Sequence, residues 1–259
     1  MFEVGGRMGK LAKVALVIVI ILGILAIYGI ISLYVGVYEG LKEVESPPSR
    51  FEVLETKIVN HDGCYPSLYV RFNTTKYTLL SIKLFTENGT LADEAFPTEG
   101  QTGVTLMLIP YGCYKNIFRP HTYTLKVFYG DRQIYSREIR VLGAKPEIRL
   151  LGISVENMTW VGYSVESMKL LVKNVGDVPL YITNTNIKVY VDEKQCPLAT
   201  VEGNEVVVLP HTQKTIIISP SMCVAKKLKT KLTIEIEGYD TNYNVTFSVD
   251  LSKYLQSSK

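Results

Sequence analysis

An all-β ectodomain of two tandem sandwiches behind one N-terminal transmembrane helix is the fold class this sequence predicts. Three observations lead there. Residues 14–38 carry no charged side chain. From Phe51 onward apolar residues recur with period two, and Gly, Pro, Asn and Asp interrupt them at short intervals. No long stretch after the apolar run has helical periodicity.

The apolar run comes first in the chain. Its 25 residues make roughly 37 Å of helix at about 1.5 Å each, enough to cross a ~30 Å hydrocarbon core with some tilt. A cleaved signal peptide has an apolar core of only about 7–15 residues and a small-x-small cleavage site. Neither fits, so a retained signal-anchor is expected. Arg7, Lys10 and Lys13 precede the run, whereas Glu39, Glu43 and Glu45 with only Lys42 follow it. The positive-inside tendency then leaves residues 1–13 in the cytoplasm and the C-terminal ectodomain outside, in a single-pass protein of the cell membrane. Tyr34 and Tyr38 stand where an outer aromatic belt belongs. Ser32, Gly36 and Gly40 recur every fourth residue, a small-residue stripe that would let two such helices pack as a homo-oligomer.

Residues 39–50 are polar and contain Pro47 and Pro48, which reads as a stiff membrane-proximal spacer. The first sandwich is expected over residues 51–143. Leu68, Val70 and Phe72 alternate with polar neighbours, as do Tyr123, Leu125, Val127 and Tyr129. Gly130 and Asp131 then turn the chain into Tyr135, Arg137, Ile139 and Val141, a hairpin. A Gly/Pro break at residues 143–146 marks the boundary. The second sandwich is expected over residues 147–251, with a short C-terminal tail over residues 252–259. In it Gly176 and Asp177 supply a turn, and Pro179 suits a strand start. Ile187, Val189 and Val191 alternate next, and a closing hairpin turns near Gly238 into Tyr243, Val245, Phe247 and Val249. Counted from Gly130 and Gly238, the two final strands align at a spacing of roughly 108 residues, a domain-sized period. Two immunoglobulin-like sandwiches of about 95–105 residues fit these lengths.

The stretch V-K-N-V-G-D-V-P-L at residues 172–180, entering a strand that ends V-Y-V-D at residues 189–192, resembles the adhesion-type β-sandwich repeats of archaeal and bacterial membrane-anchored surface proteins. The resemblance implies an extracellular binding or spacing module and brings no catalytic residues with it.

Composition narrows the function classes. Lys plus Arg number 28 against 25 acidic residues, and the anchor region holds part of the excess, so the ectodomain is close to neutral. A nucleic-acid partner is not expected, because such binders carry a strong basic balance. The one basic cluster is Lys226, Lys227, Lys229 and Lys231. Its last three members alternate with Leu228, Thr230 and Leu232, as on the solvated face of a strand, where charge discourages edge-to-edge association.

Cys64, Cys113, Cys196 and Cys223 form an even set in an exported chain, which argues for disulfides. The domain boundary separates them two and two and favours Cys64–Cys113 and Cys196–Cys223 over the other pairings. Four glycosylation sequons begin at Asn73, Asn88, Asn157 and Asn244, all on the expected exterior. Asn244 lies between Tyr243 and Val245 in an alternating strand, and Asn73 follows the inward candidate Phe72, so both should face solvent.

Metal chemistry is the enzyme-like or redox alternative, with His61, Cys64, Cys113 and His121 as the candidate ligands. No Met follows Cys113 at blue-copper spacing, and an oxidising exterior favours the disulfide. No cofactor is expected. His211 reads as a loop residue. The chain has three histidines, no G-x-S-x-G elbow, no phosphate loop and no H-E-x-x-H. Ser46 and Ser49 flank prolines, and Asp93, Glu94, Asp131 and Asp240 read as turn residues. No catalytic residues are assigned, and the chain is read as a non-enzyme. Seventeen tyrosines against eight phenylalanines and one tryptophan suit strand faces, while Tyr111, Tyr114 and Phe118 around Cys113 could form a contact patch. The expected function is a cell-envelope binding or structural subunit whose partner is another envelope protein or a glycan. The alternatives are a pilin-like filament subunit cut near Gly9, with residues 11–40 in a helical core, and the membrane-anchored metal or electron-transfer subunit.

Overall fold

Helix α1 spans Lys10–Glu45 in the computed structural model, which describes residues 10–109, 112–158 and 160–255. Its segment Ile18–Tyr38 is long and apolar enough to cross a membrane, and every side chain in it is exposed. Ser32 and Gly36 are among them, whereas the side chains around Gly40 lie outside the described residues, as does Arg7. The helix continues through residues 39–45, where the sequence reading placed a spacer. Leu41, Lys42, Glu43 and Glu45 are good helix formers, and the helix stops only where Pro47 disfavours the α conformation at Ser46. The connection is therefore no more than residues 46–50. The helical unit ends at Pro48, and a strand-rich unit begins at Ser49.

Seven strands build the first sandwich: β1 Phe51–His61, β2 Tyr65–Thr74, β3 Leu80–Phe85, β4 Leu91–Ala95, β5 Gly103–Met107, β6 His121–Tyr129 and β7 Arg132–Val141. They form two antiparallel sheets, ordered β1-β2-β5 and β4-β3-β6-β7. Alternation decides which residues go inside. Leu68, Val70 and Phe72 of β2 are buried with Ile82, Leu84, Leu125 and Val127, while Arg71 and Asn73 are exposed. The hairpin at Gly130 pairs Tyr129 with Arg132, and Gly130 has φ +55°, as a tight two-residue turn requires. Asp93 and Glu94 lie in strand β4 instead of a turn. Asp93 accepts the Met107 N–H from the opposite sheet at 2.7 Å, and Glu94 pairs with Lys83 at 2.8 Å.

Eleven strands follow: β8 Pro146–Met158, β9 Gly162–Asn174, β10 Leu180–Thr183, β11 Ile187–Val191, β12 Lys194–Gln195, β13 Leu198–Val201, β14 Glu205–Val208, β15 Gln213–Ser221, β16 Val224–Ala225, β17 Lys229–Ile236 and β18 Tyr243–Asp250. One sheet runs β13-β15-β9, with β8 on the other edge of β9 and β16 extending the β15 side. The other runs β12-β11-β17-β18, and β10 with β14 makes a separate ladder. This division resembles the immunoglobulin arrangement more closely than the first sandwich does, because β13 sits beside β15. Leu170, Val172, Ile216, Ile218, Val189 and Ile234 are buried in one core from both sheets. The described C-terminal residues form a three-residue 3₁₀ turn, Leu251–Lys253, capped by Asp250.

The two sandwiches lie within one compact unit and share a polar junction. Asn116, fully buried, donates to the carbonyls of Tyr181 (2.9 Å) and Glu237 (3.2 Å) and accepts the Tyr181 N–H (2.8 Å). Its own carbonyl accepts the Tyr239 N–H at 2.7 Å. The Tyr181 hydroxyl donates to Asn60 at 2.8 Å. Asp177 accepts the Leu142 N–H at 2.9 Å. The segment that joins the sandwiches is packed tightly here. Gly143 has φ +85°, and a Cβ on Gly176 would overlap its carbonyl oxygen and stand 2.7 Å from the Lys145 nitrogen. Side chains also cross the boundary, for Val178 is buried in the first core while Phe118 packs against the second.

Asp240 ties the loop between β17 and β18 to the first sandwich. It accepts from the N–H groups of Phe118 (3.0 Å) and Arg119 (2.6 Å) and lies 3.1 Å from His121 Nε2. Burial pushes its carboxyl up, but those N–H groups and His121 outweigh burial and hold it below its ordinary value. A depressed folded value means that the unfolded chain binds the proton first, so this stabilisation is present above the ordinary carboxylate range and is lost as pH falls through the folded value. Between about pH 5 and pH 2, wild type is expected to lose stability more steeply than Asp240→Asn in chemical denaturation. Parallel slopes for the two proteins would refute that role.

Candidate functional site

The cysteines pair as the domain boundary suggested. Cys64 is bonded to Cys113 with Cα atoms 5.0 Å apart, and Cys196 to Cys223 at 5.1 Å. The metal alternative is not supported, since both thiols of the proposed set are bonded to each other. His61 stands 3.4 Å from Asp62, and His121 is held by Asp240. Among the described residues no three His, Cys, Asp or Glu side chains gather as a metal site. His211 is an exposed loop residue with φ +58°. The side chains of Asn73, Asn88, Asn157 and Asn244 are all exposed, although Thr159 of the third sequon lies outside the described residues.

The aromatic contact patch is not free. Tyr114 packs edge-on against Tyr181 at 5.9 Å, and Phe118 lies 5.9 Å from Tyr243. Both are used inside the junction, while Tyr111 is outside the described residues. Burial and then Tyr114 push the Tyr181 hydroxyl well up from its ordinary value, so it stays protonated and donates to Asn60.

The lysine cluster has a different setting from the one expected. β17 pairs with β18 along its whole length but with β11 only over Leu232–Ile236, so Lys229 and Lys231 stand at the end of the strand that β11 does not cover. They border a cleft of about 880 Å³ at one end of the second sandwich. Its apolar lining comes from Val191, Val224 and Val249. Lys226 and Lys227 come from the segment after β16, and Lys194 from β12, just past the turn that follows β11. Asp192 and Glu193 make that two-residue turn with φ +48° and +71°, and Asp192 accepts the Lys231 N–H at 2.9 Å.

The second disulfide staples the walls of this cleft. Cys196 follows the β12 strand that carries Lys194, and Cys223 immediately precedes Val224. Five ammonium groups thus meet three carboxylates, those of Asp192, Glu193 and Asp250. Two of these are already engaged. Asp192 holds its β17 contact, and Asp250 accepts from the Ser252 hydroxyl (2.6 Å) and N–H (3.1 Å). Those bonds hold the Asp250 carboxyl below its ordinary value. The ion-paired Lys57, Lys83, Lys173 and Lys188 all lie outside the cleft. Thr230 also borders the cleft, but its side chain lies on the buried face of β17, opposite Val249. The residue is 4% exposed, and its hydroxyl has no hydrogen-bond partner among the described residues. The lysines were visible in the sequence. Their convergence with Asp192 and Glu193 was not, because β11, β12, β16, β17 and β18 meet only through the sheet order.

No family model matches the chain, and no curated protein matches it. Solved structures give distant likenesses. The central fibronectin-III array of RIM-binding protein is 11% identical, with 78% of this chain and 69% of that chain covered, at a TM-score of 0.23. A tandem pair of titin Ig domains is 13% identical over 77% of this chain and 95% of that chain, also at 0.23. The BSP domain of a biofilm associated protein is 12% identical over 77% of this chain and 29% of that chain, at 0.23. At such scores these likenesses carry no argument about this chain, whose fold is read from its own sheets and cores.

Proposed function

We propose that this chain is a single-pass cell-surface protein whose ectodomain of two joined sandwiches binds or positions a partner without catalysing a reaction. The observation that carries the reading is the coupling of a fully exposed 21-residue apolar helix to a disulfide-bonded β unit. Such a helix needs a lipid environment for its side chains, and stable disulfides belong to an oxidising compartment. The exposed sequon asparagines agree with an exterior location. The buried junction suits a positioning role, because it removes a flexible hinge between the sandwiches.

The test is protease protection on intact cells with a C-terminal tag, together with the intact mass of the detergent-extracted protein. The tag is expected to be digested while a cytosolic control survives, and the mass is expected to include residues 1–13. A protected tag would overturn the placement. A mass lacking the apolar segment would make it a cleaved leader and overturn the anchor.

A further inference from the structure

We propose that strand β18 is a pairing edge for a second copy of this chain, joined antiparallel about Thr246 so that one sheet runs through both molecules. The pairing stands on the edge itself and does not depend on the exterior placement proposed above.

An open sheet edge presents unpaired N–H and C=O groups, and proteins ordinarily guard it with charge, bulges, proline or short length. The other edges here are guarded. β1 carries Glu52, Glu55 and Lys57 with a register shift, and β7 carries Arg132, Arg137 and Arg140. β4 and β5 have five residues each, and the Asp93 carboxylate caps the Met107 N–H of β5. β8 has two register shifts. β10, β12, β13, β14 and β16 have four residues or fewer. β18 differs. Its eight residues pair with β17 without a bulge, and no charge or proline occurs from Tyr243 to Val249. Among the described residues, β17 is its one strand partner.

The free backbone groups belong to particular residues. The Leu251 N–H donates to the Leu228 carbonyl at 2.8 Å, which continues the β17–β18 register by one step. Antiparallel ladders alternate between bonded and non-bonded pairs. Tyr243, Val245, Phe247 and Val249 therefore bond to β17, while Asn244, Thr246 and Ser248 turn their N–H and C=O groups outward. Lys231, opposite Ser248, agrees with this phase. Its N–H and C=O are both bonded to Asp192, on the side away from β18.

A second copy matches this row. Thr246 is the midpoint of the uncharged run, so a two-fold axis there pairs Thr246 with its own counterpart and Asn244 with the partner's Ser248. Each such pair exchanges both of its backbone hydrogen bonds. On the half-buried face Val245 meets the partner's Phe247, a β-branched residue against an aromatic one. On the solvent face the hydroxyls of Thr233 and Thr246, 2.9 Å apart, extend into a row of threonines across both copies. Charge sets the direction. Lys231 lies beside Ser248 and Glu235 beside Asn244, so antiparallel pairing ends each of these rows in a lysine on one copy and a glutamate on the other. Parallel pairing would end them in like charges. Because both copies use the same edge, the contact is isologous and closes at two.

The test is the molar mass of the full-length, oxidised protein in mild detergent, measured by light scattering over a concentration series. Thr246→Lys sets two ammonium groups face to face at the axis. Thr246→Pro removes an outward N–H that the β17 ladder does not use. Both also delete the Asn244 sequon, so Asn244→Gln is their reference. Ser32→Leu with Gly36→Leu tests the small-residue stripe of the helix separately. Wild type, Asn244→Gln and the helix variant are expected to be dimers. Each Thr246 variant should raise the dissociation constant at least about tenfold while keeping the circular dichroism of wild type. Thr246→Cys should cross-link to itself through a short bismaleimide, and Asn73→Cys should not.

A monomer at every concentration would overturn the proposal. So would a dimer indifferent to both Thr246 changes, or one abolished by the helix changes alone. Assembly that grows past two copies would overturn it as well, since it needs a second edge. A dimer that persists while the C-terminal tag proves protected would refute the exterior placement and leave the pairing standing.

Discussion

Replacing Cys64 and Cys113 together with serine is expected to lower the stability of the β unit by about 4 kcal/mol in the chain-entropy model, because the bond closes a loop of 49 residues. For a unit of this size, 1 kcal/mol moves the melting temperature by about 2–4 °C, so a fall near 10 °C is expected in calorimetry. The bond also anchors the segment that carries Asn116 and Phe118 to the junction, and the Tyr114 N–H donates to the Cys64 carbonyl at 2.9 Å. The loss should therefore reach beyond the first sandwich. The pair Cys196→Ser with Cys223→Ser closes a shorter loop of 27 residues and should cost about 3.5 kcal/mol. An unchanged melting temperature after the first double replacement would show that this bond contributes nothing to the folded unit.

The second large effect is expected at Asn116. Its replacement by alanine leaves the Tyr181 N–H and the carbonyls of Tyr181 and Glu237 without this partner in a buried setting. The Tyr181 carbonyl keeps its bond from Asn186 at 3.1 Å, so the main losses are one donor and one acceptor. At about 1–3 kcal/mol for each unsatisfied group, Asn116→Ala should cost about 3 kcal/mol. Asn73→Ala, at an exposed strand position, serves as the control and should stay within about 0.5 kcal/mol. Equal urea midpoints for the two variants would show that the junction does not hold the sandwiches together. If Asn116→Ala instead divides one unfolding transition into two, the junction is what makes the sandwiches unfold as one.

Much of the fold was legible because strand alternation is local. Leu68, Val70 and Phe72 announce one buried face whatever the rest of the chain does, and the turn at Gly130 announces its own hairpin. The two final strands, aligned at Tyr135 and Tyr243, occupy the corresponding edges of the two sandwiches beside β6 and β17. The cysteine pairing followed from which half each residue falls in. Local signals failed where a residue's partner is remote. Asp240 has the look of a turn residue, yet it is bound across more than a hundred residues to Phe118 and Arg119. The segment at residues 174–179 reads as a turn between two apolar stretches. β9 and β10 do not pair, and the segment instead docks Asp177 and Val178 against the first sandwich.

The sequence by itself determined the apolar helix, the two β sandwiches and their strand faces, because charge, length and period two act over a few neighbouring residues. Only the tertiary structure decided that the break near Gly143 is a packed junction, that Tyr114 and Phe118 pack against Tyr181 and Tyr243, and that Lys229 and Lys231 border a cleft. The reason is physical. Burial and electrostatic setting depend on which strands become neighbours, and strands distant in sequence become neighbours only when the sheets close over the two cores.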